Sequence, residues 1–361
     1  MNKTLIVRTD GIGDFIIFTA VLEAYANLFP GYKLDLLCQS QVKELAKRIP
    51  FINNVYNVEV SKLFRKRYLI YTMLTLIRVI FLKYDKLIYP IYSRSPSTDI
   101  LVKLIRAGEK IAFDGDATND TNNTRFKRNK YFTRIVKSSK NNKLEFERNI
   151  EFINKLGANI EISLAKTRLW FSDQDVIRFE KFINEHNLRK NRYVAISVGA
   201  GFSMKYWDNK KWVSLITTVI KEFPQYVVVI LGSEKDMSMV QKILKMLDSK
   251  NREKIIDLCG KTSLPTLGKL IKYSKLLIGV DSGAVHMAAA VGTPNVCLIG
   301  GGHFGRFYPY GDLSKNRIVY KKLDCYGCNW QCKYNSAKCI KKIQVDDVYN
   351  TVKDILQKDV F

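Results

Sequence analysis

Short apolar runs alternate with amphipathic stretches from one end of this chain to the other, and nothing else in it restricts the fold as much. Runs of that length read as buried parallel strands and the stretches between them as crossover helices, the βαβ pattern. In the first half, strands are predicted at Leu5–Val7, Lys33–Cys38, Val55–Val60 and Lys86–Ile91, with a helix at Phe15–Phe29 stopped by Pro30-Gly31. The pattern restarts with strands at Tyr193–Val198, Tyr226–Leu231, Leu276–Val280 and Asn295–Ile299. Helices fall between these, at Asn209–Phe223, Glu234–Leu247, Leu264–Lys272 and Gly283–Val291. At 361 residues the chain exceeds one ordinary core. Two successive α/β domains with Rossmann-like parallel sheets are therefore expected, 1–168 and 169–344, closed by a helix at Val345–Leu356 within 345–361. The boundary falls near Ser163–Asp175, after a helix at Leu144–Leu156 and its Gly157 cap. Asp114–Lys130, rich in Asn, Thr and basic residues, reads as a long loop.

Charge is the compositional outlier: 59 Lys and Arg against 34 Asp and Glu leave a net +25. Such a surplus implies an anionic partner (nucleic acid, a phosphate-bearing substrate or a membrane face) and is silent on fold. No zinc-finger, helix-turn-helix or RNP-type string is present and the basic residues are scattered, so nucleic acid is not expected. The N-terminal apolar stretch Leu5–Val7 is too short for a signal-peptide core, and a cytoplasmic chain is expected. The longest apolar run, Tyr68–Leu82, is broken by Arg78 and falls short of the ~20 residues of a spanning helix. Lys62, Arg65, Lys66, Arg67, Arg78, Lys83 and Lys86 surround it with one acid, Asp85. Two readings stand: a helix lying in the interface of an anionic bilayer, or a buried helix with solvated ends.

Gly11-Ile12-Gly13-Asp14 follows the first strand and opens a helix, whose N-terminus offers free N–H groups to an anion. A dinucleotide fingerprint is excluded by its details: Ile16 occupies the third glycine position, and the second strand ends Cys38-Gln39-Ser40 with no acid for a ribose. Asp14 is open to two readings, a complement to the helix dipole or a catalytic base. In the second half, Asp281-Ser282-Gly283-Ala284-Val285-His286 leaves a strand and enters a helix of small residues, with Ser282 and Gly283 at its N-terminus as diphosphate donors and His286 one turn in. The next strand runs into Gly300-Gly301-Gly302, so two glycine-rich turns are expected to build a crevice at the carboxyl edge of the sheet. Lys205, after Gly199-Ala200-Gly201, is placed to carry a charge to a phosphate, and Glu234, after Gly232-Ser233, to accept from ribose hydroxyls.

These strings together resemble glycosyltransferase family 9, the lipopolysaccharide heptosyltransferases. The pieces that carry the resemblance are Gly11-Ile12-Gly13-Asp14, Lys205-Tyr206-Trp207, Gly232-Ser233-Glu234 and the run from Asp281 through His286 to Gly292-Thr293-Pro294. The resemblance implies a GT-B fold, two Rossmann-like domains facing a cleft, with acceptor on the first, nucleotide sugar on the second, and a last helix that crosses back to the first. It implies an inverting, metal-independent transfer of heptose from ADP-heptose to a lipopolysaccharide-core, lipid-linked or phosphorylated glycan at the inner face of the cytoplasmic membrane. Asp14 resembles the general base and Lys205 the cation on the leaving diphosphate. Glu234 resembles the ribose acid, and Asp281, Ser282, Gly283 and His286 the donor pocket, with Gly11 and Gly13 as the turn near the acceptor. A transferase of the same fold using another nucleotide sugar or a protein acceptor is one alternative, a basic nucleic-acid-binding protein, suggested by charge alone, is another, and a catalytically dead binding module a further one.

Two strings compete for metal. Asp114-Gly115-Asp116 imitates an Asp-x-Asp clamp for Mg²⁺ or Mn²⁺ but lies in a polar loop and reads better as a turn. Cys325, Cys328, Cys332 and Cys339 have spacing that allows one tetrahedral structural ion, zinc or iron, or else free or paired thiols.

Overall fold

A computed structural model of the chain describes residues 2–59, 66–139, 144–334 and 336–357, with backbone alone for 66–73 and 122. It divides into two compact units, Met1–Lys166 and Thr167–Phe361.

The first unit is a six-stranded, all-parallel sheet: β1 (Lys3–Arg8), β2 (Lys33–Gln39), β3 (Ile52–Val58), β4 (Lys83–Tyr89), β5 (Arg106–Phe113) and β6 (Arg134–Val136), in the order β3-β2-β1-β4-β5-β6. Its helices are α1 (Ile12–Leu28), α2 (Lys43–Ala46), α3 (Lys66–Phe81), α4 (Pro96–Leu104), α5 (Asn122–Arg128) and α6 (Glu145–Lys155). β1 is buried on both faces from Thr4 onward, which is why it reads as an unbroken apolar run and not as an alternation. α1 is apolar nearly all round, with Phe15, Ile16, Ile17 and Phe18 all buried. Val79 of α3 and Leu101 and Val102 of α4 share one core cluster with Leu5, Val7 and Leu87 of the sheet.

The second unit repeats that wiring. Its strands are β7 (Tyr193–Ser197), β8 (Val227–Leu231), β9 (Ile255–Asp257), β10 (Leu276–Val280), β11 (Asn295–Leu298) and β12 (Asn316–Val319), in the order β12-β11-β10-β7-β8-β9. Its helices are α7 (Asp173–Glu185), α8 (Asn209–Glu222), α9 (Met237–Met246), α10 (Ser249–Arg252), α11 (Leu264–Lys272), α12 (Gly283–Val291), α13 (Lys338–Lys341) and α14 (Val345–Gln357). In each sheet the chain reverses direction between two central strands, β1 and β4 or β7 and β10. The loops there diverge and leave a crevice at the carboxyl edge.

One expectation changes. Asp114–Lys130 is not a continuous loop. Thr121 caps α5 by accepting from the Thr124 amide, and the helix is held by Arg128 on Asp99 at 3.0 Å. Tertiary contacts thus select a helix that Asn- and Thr-rich composition does not announce. Asp114 and Asp116 lie in a turn, as expected: Asp114 accepts from the Gly115 and Ser138 amides and Asp116 from Ser93 Oγ at 2.7 Å. The closing helix α14 seats Val348, Val352, Ile355 and Leu356 in the second unit's core.

Candidate functional site

In the first unit the crevice is organised around a buried arginine. Arg8, at the end of β1, is 1% exposed. Its guanidinium meets the Asp10 carboxylate at 2.8 Å and donates to the Asp14 main-chain carbonyl at 3.3 Å and to Asn149 Oδ1 on α6 at 3.0 Å. The loop that carries Asp14 is therefore tied to the strand and to α6. Asp14 lies in the first turn of α1 together with Gly13. Gly11 has an ordinary φ of −75°, so its value lies in room: a Cβ there would sit 3.3 Å from Asp14 Oδ2. Burial pushes the Asp10 carboxyl up to about 7 despite the pull of Arg8, and the charge of Asp14 adds to the rise. Arg8, Asp10 and Asn149 were not among the expected site residues. Arg8 and Asp10 left a signal, charged residues just after the apolar run Leu5–Val7, whereas Asn149 left none.

In the second unit Lys205, in a short turn after β7, is ion-paired with Asp281 at the end of β10, Nζ to Oδ2 2.6 Å. The other carboxylate oxygen of Asp281 faces His286 Nε2 at 3.8 Å. Burial by itself raises the Asp281 pKa, but Lys205 and then His286 outweigh it and hold the carboxyl below its usual range. The His286 ring stacks on Tyr310 at 5.7 Å, and its Nδ1 lies 3.1 Å from the Tyr310 hydroxyl. A buried chain continues from Tyr308 through Asn295 to Asn316, whose amide donates to the Tyr310 carbonyl. These residues, scattered between Asn295 and Asn316, carried no motif.

Ser282 and Gly283 open α12, as expected, and Ser282 Oγ is buried with no hydrogen-bond partner among the described residues. An unmet hydroxyl beside the first amides of a helix N-terminus, with a lysine on the adjoining strand end, is an arrangement able to receive an anion. Glu234 stands exposed at the end of β8, and Asp236, not Glu234, closes the cap on Ser233.

The glycine run Gly300-Gly301-Gly302 is not an open cradle for phosphate. A Cβ on Gly302 would lie 2.4 Å from the Trp330 ring and one on Gly301 2.4 Å from the ring of Tyr326. The missing side chains make room for aromatics. The four cysteines likewise do not close on one ion. Cys339 points into the second core while Cys325, Cys328 and Cys332 are half-buried in the preceding loop, all as free thiols. Among the described residues no group of three or more His, Cys, Asp or Glu is arranged to hold a metal.

Two doubly wound, six-stranded parallel sheets in succession are the GT-B fold. The family model for glycosyltransferase family 9 (heptosyltransferase) matches residues 99–338, and the chain belongs to that family. Lipopolysaccharide heptosyltransferase 3 from Escherichia coli is 27% identical over 289 residues, 80% of each chain. The glycosyl transferase family 9 structure from Veillonella parvula DSM 2008 matches with a TM-score of 0.78 at 18% identity, covering 99% of this chain and 98% of its own. E. coli ADP-heptose lps heptosyltransferase II matches at 0.75 with 19% identity, covering 99% of this chain and 100% of its own.

Proposed function

We propose that the chain moves a heptose from ADP-heptose to a lipopolysaccharide-core or related phosphorylated glycan, inverting the anomeric carbon and using no metal ion in the transfer step. The observation that carries this reading is the geometry at the start of α12, where Lys205 pairs with Asp281 beside a Ser282 hydroxyl that has no partner among the described residues. Asp14 takes the proton of the acceptor hydroxyl. The acceptor oxygen bonds to the anomeric carbon while the bond to the diphosphate breaks, and the electron pair leaves with ADP. Lys205 and the α12 amides take up the charge that develops on the diphosphate. Glu234 accepts from the ribose hydroxyls, and His286 and Asp281 hold Lys205 in place. The relatives whose names specify lipopolysaccharide or ADP-heptose support the sugar and acceptor.

Thermal-shift titrations with ADP, GDP and UDP, each with and without EDTA, test the donor. ADP alone is expected to stabilise, by about 2.7 kcal/mol at 100 times its Kd, and EDTA to change nothing. Preference for GDP or UDP would remove the heptose reading, and no response to any nucleotide would remove the donor site.

The acceptor's lipid anchor fits a membrane-facing surface on the first unit. Leu74, Ile77 and Phe81 of α3 are 62%, 46% and 70% exposed and form one stripe at helical spacing. Arg78 and Lys83 stand exposed beside it, whereas Lys86 is taken by Glu109 at 2.6 Å. Lys62 and Arg65, and the side chains of 66–73, lie outside the described residues. Among the described residues no helix is long and apolar enough to cross a membrane. Co-sedimentation with vesicles containing about a third phosphatidylglycerol is expected to be salt-sensitive and to fall several-fold in Leu74→Glu/Phe81→Glu. Equal binding by the variant would place the contact elsewhere.

A further inference from the structure

The end of β11 carries an aromatic assembly that the anion site does not use. Asn329 and Trp330 hold φ of 49° and 62°, a left-handed conformation that non-glycine residues seldom keep unless their surroundings impose it. The surroundings here are specific. The Trp330 ring lies on glycine backbone, where a Cβ on Gly300 would approach it to 2.9 Å and one on Gly302 to 2.4 Å. Its indole N–H donates to His303 Nδ1 at 3.2 Å, and His303 Nε2 in turn engages Asn329 Oδ1. That pattern requires a neutral imidazole with its proton on Nε2, and burial lowers the His303 pKa in keeping with it. Trp330 is only partly buried. Its ring centroid stands 5.8 Å from Lys205 Nζ, and the exposed Phe202 ring meets it edge-on at 5.7 Å.

The order of strand ends says what this ring faces. Along the carboxyl edge the sheet runs β11-β10-β7-β8. Glu234 follows β8, Lys205 follows β7, Asp281 and Ser282 follow β10, and the glycine run under Trp330 follows β11. A nucleotide sugar whose ribose is at Glu234 and whose diphosphate is at Lys205 and the α12 terminus has its nucleoside spent on the β8 side. What remains on the β11 side is the glycosyl group. Sugar rings present apolar C–H faces that pack on large, rigid aromatic side chains.

We propose that Trp330 is a specificity-determining residue whose open face receives the glycosyl moiety of the donor, with His303 holding the ring in place. This rests on the donor reading above. Calorimetric titration of ADP and of ADP-heptose, without acceptor, into wild type, Trp330→Phe, Trp330→Ala and His303→Ala tests it. Trp330→Ala is expected to lower the ratio Kd(ADP)/Kd(ADP-heptose) about five- to tenfold while the Kd for ADP stays within about twofold. Trp330→Phe keeps most of the ratio, and His303→Ala loses part of it with the indole still present. An unchanged ratio in Trp330→Ala overturns the proposal. So does an equal loss for both ligands in Trp330→Ala and His303→Ala, which would mean that the ring stacks on the base or merely holds the loop. Wild type that fails to bind ADP would instead remove the donor reading itself.

Discussion

Asp14→Asn is expected to lower kcat by about 10²–10⁴-fold, the usual worth of a positioned base, and to leave the affinity for ADP unchanged. The two readouts separate because Asp14 belongs to the first unit and the anion site to the second. Stability separates them further. A carboxylate in the first turn of α1 favours the helix dipole by only about 0.3–1 kcal/mol. If Asp14 were no more than a complement to that dipole, the variant would melt slightly earlier and still turn over. Single-turnover transfer together with a melting curve decides it, and near-normal transfer by Asp14→Asn would move the base to another residue. Asp10 needs a separate variant because it sits on the same guanidinium. Its folded-state pKa of about 7 lies above the unfolded value. The stability tied to it is therefore whole below the unfolded pKa of about 3.9 and lost as pH rises through about 7. Asp10→Asn should flatten that loss between about pH 4 and 7.

The second large effect is expected at the Lys205–Asp281 pair. Lys205→Ala leaves a carboxylate that is 5% exposed with His286 at 3.8 Å and, more weakly, His303 for counter-charge. Stranding a buried charge in this way costs about 3–5 kcal/mol, or a fall of many degrees in melting temperature for a unit of this size. ADP binding is lost in the same variant. Because these losses would otherwise be confounded, the informative partner is Lys205→Met/Asp281→Asn, which removes both charges. It is expected to recover most of the stability and none of the nucleotide affinity. Recovery of both would mean that the lysine serves only to neutralise Asp281. The depressed pKa of Asp281 gives the pH signature. Its stabilisation is present above the unfolded pKa and disappears as pH falls through the lower folded value, so wild type should lose acid stability there that the neutral pair lacks.

How far the sequence carried the reading depended on whether a signal was local. Strands such as Tyr193–Ser197 and Leu276–Val280, buried along their whole length, announce themselves as apolar runs. β5 does not, because its first half is a partly exposed edge and only Ile111–Phe113 is buried. β9 and β12, three and four residues long, fall below any periodicity. Asp14, Lys205, Asp281 and Ser282 were legible because chemistry and turn geometry coincide at strand ends. Asn149 and Tyr310 were not, since their relevance arises only when α6 or the loop after β11 folds against a strand distant in sequence. The glycine run misled for a physical reason: a missing Cβ suits a phosphate and an aromatic ring equally, and only the ring's own position 28 residues after Gly302 tells which.

The seating of Trp330 also has an optical consequence. Trp207 and Trp212 are sealed in the core, 2% and 0% exposed and edge to face with one another, so their emission is shielded from solvent and from ligand alike. Trp330 has one face on glycine backbone, its N–H on an imidazole and a cation within reach of the ring. Its fluorescence is thus tuned by the same lysine that a diphosphate would draw away. The difference spectrum between wild type and Trp330→Phe isolates this one indole, and on the proposed donor reading it is expected to change when a nucleoside diphosphate engages Lys205.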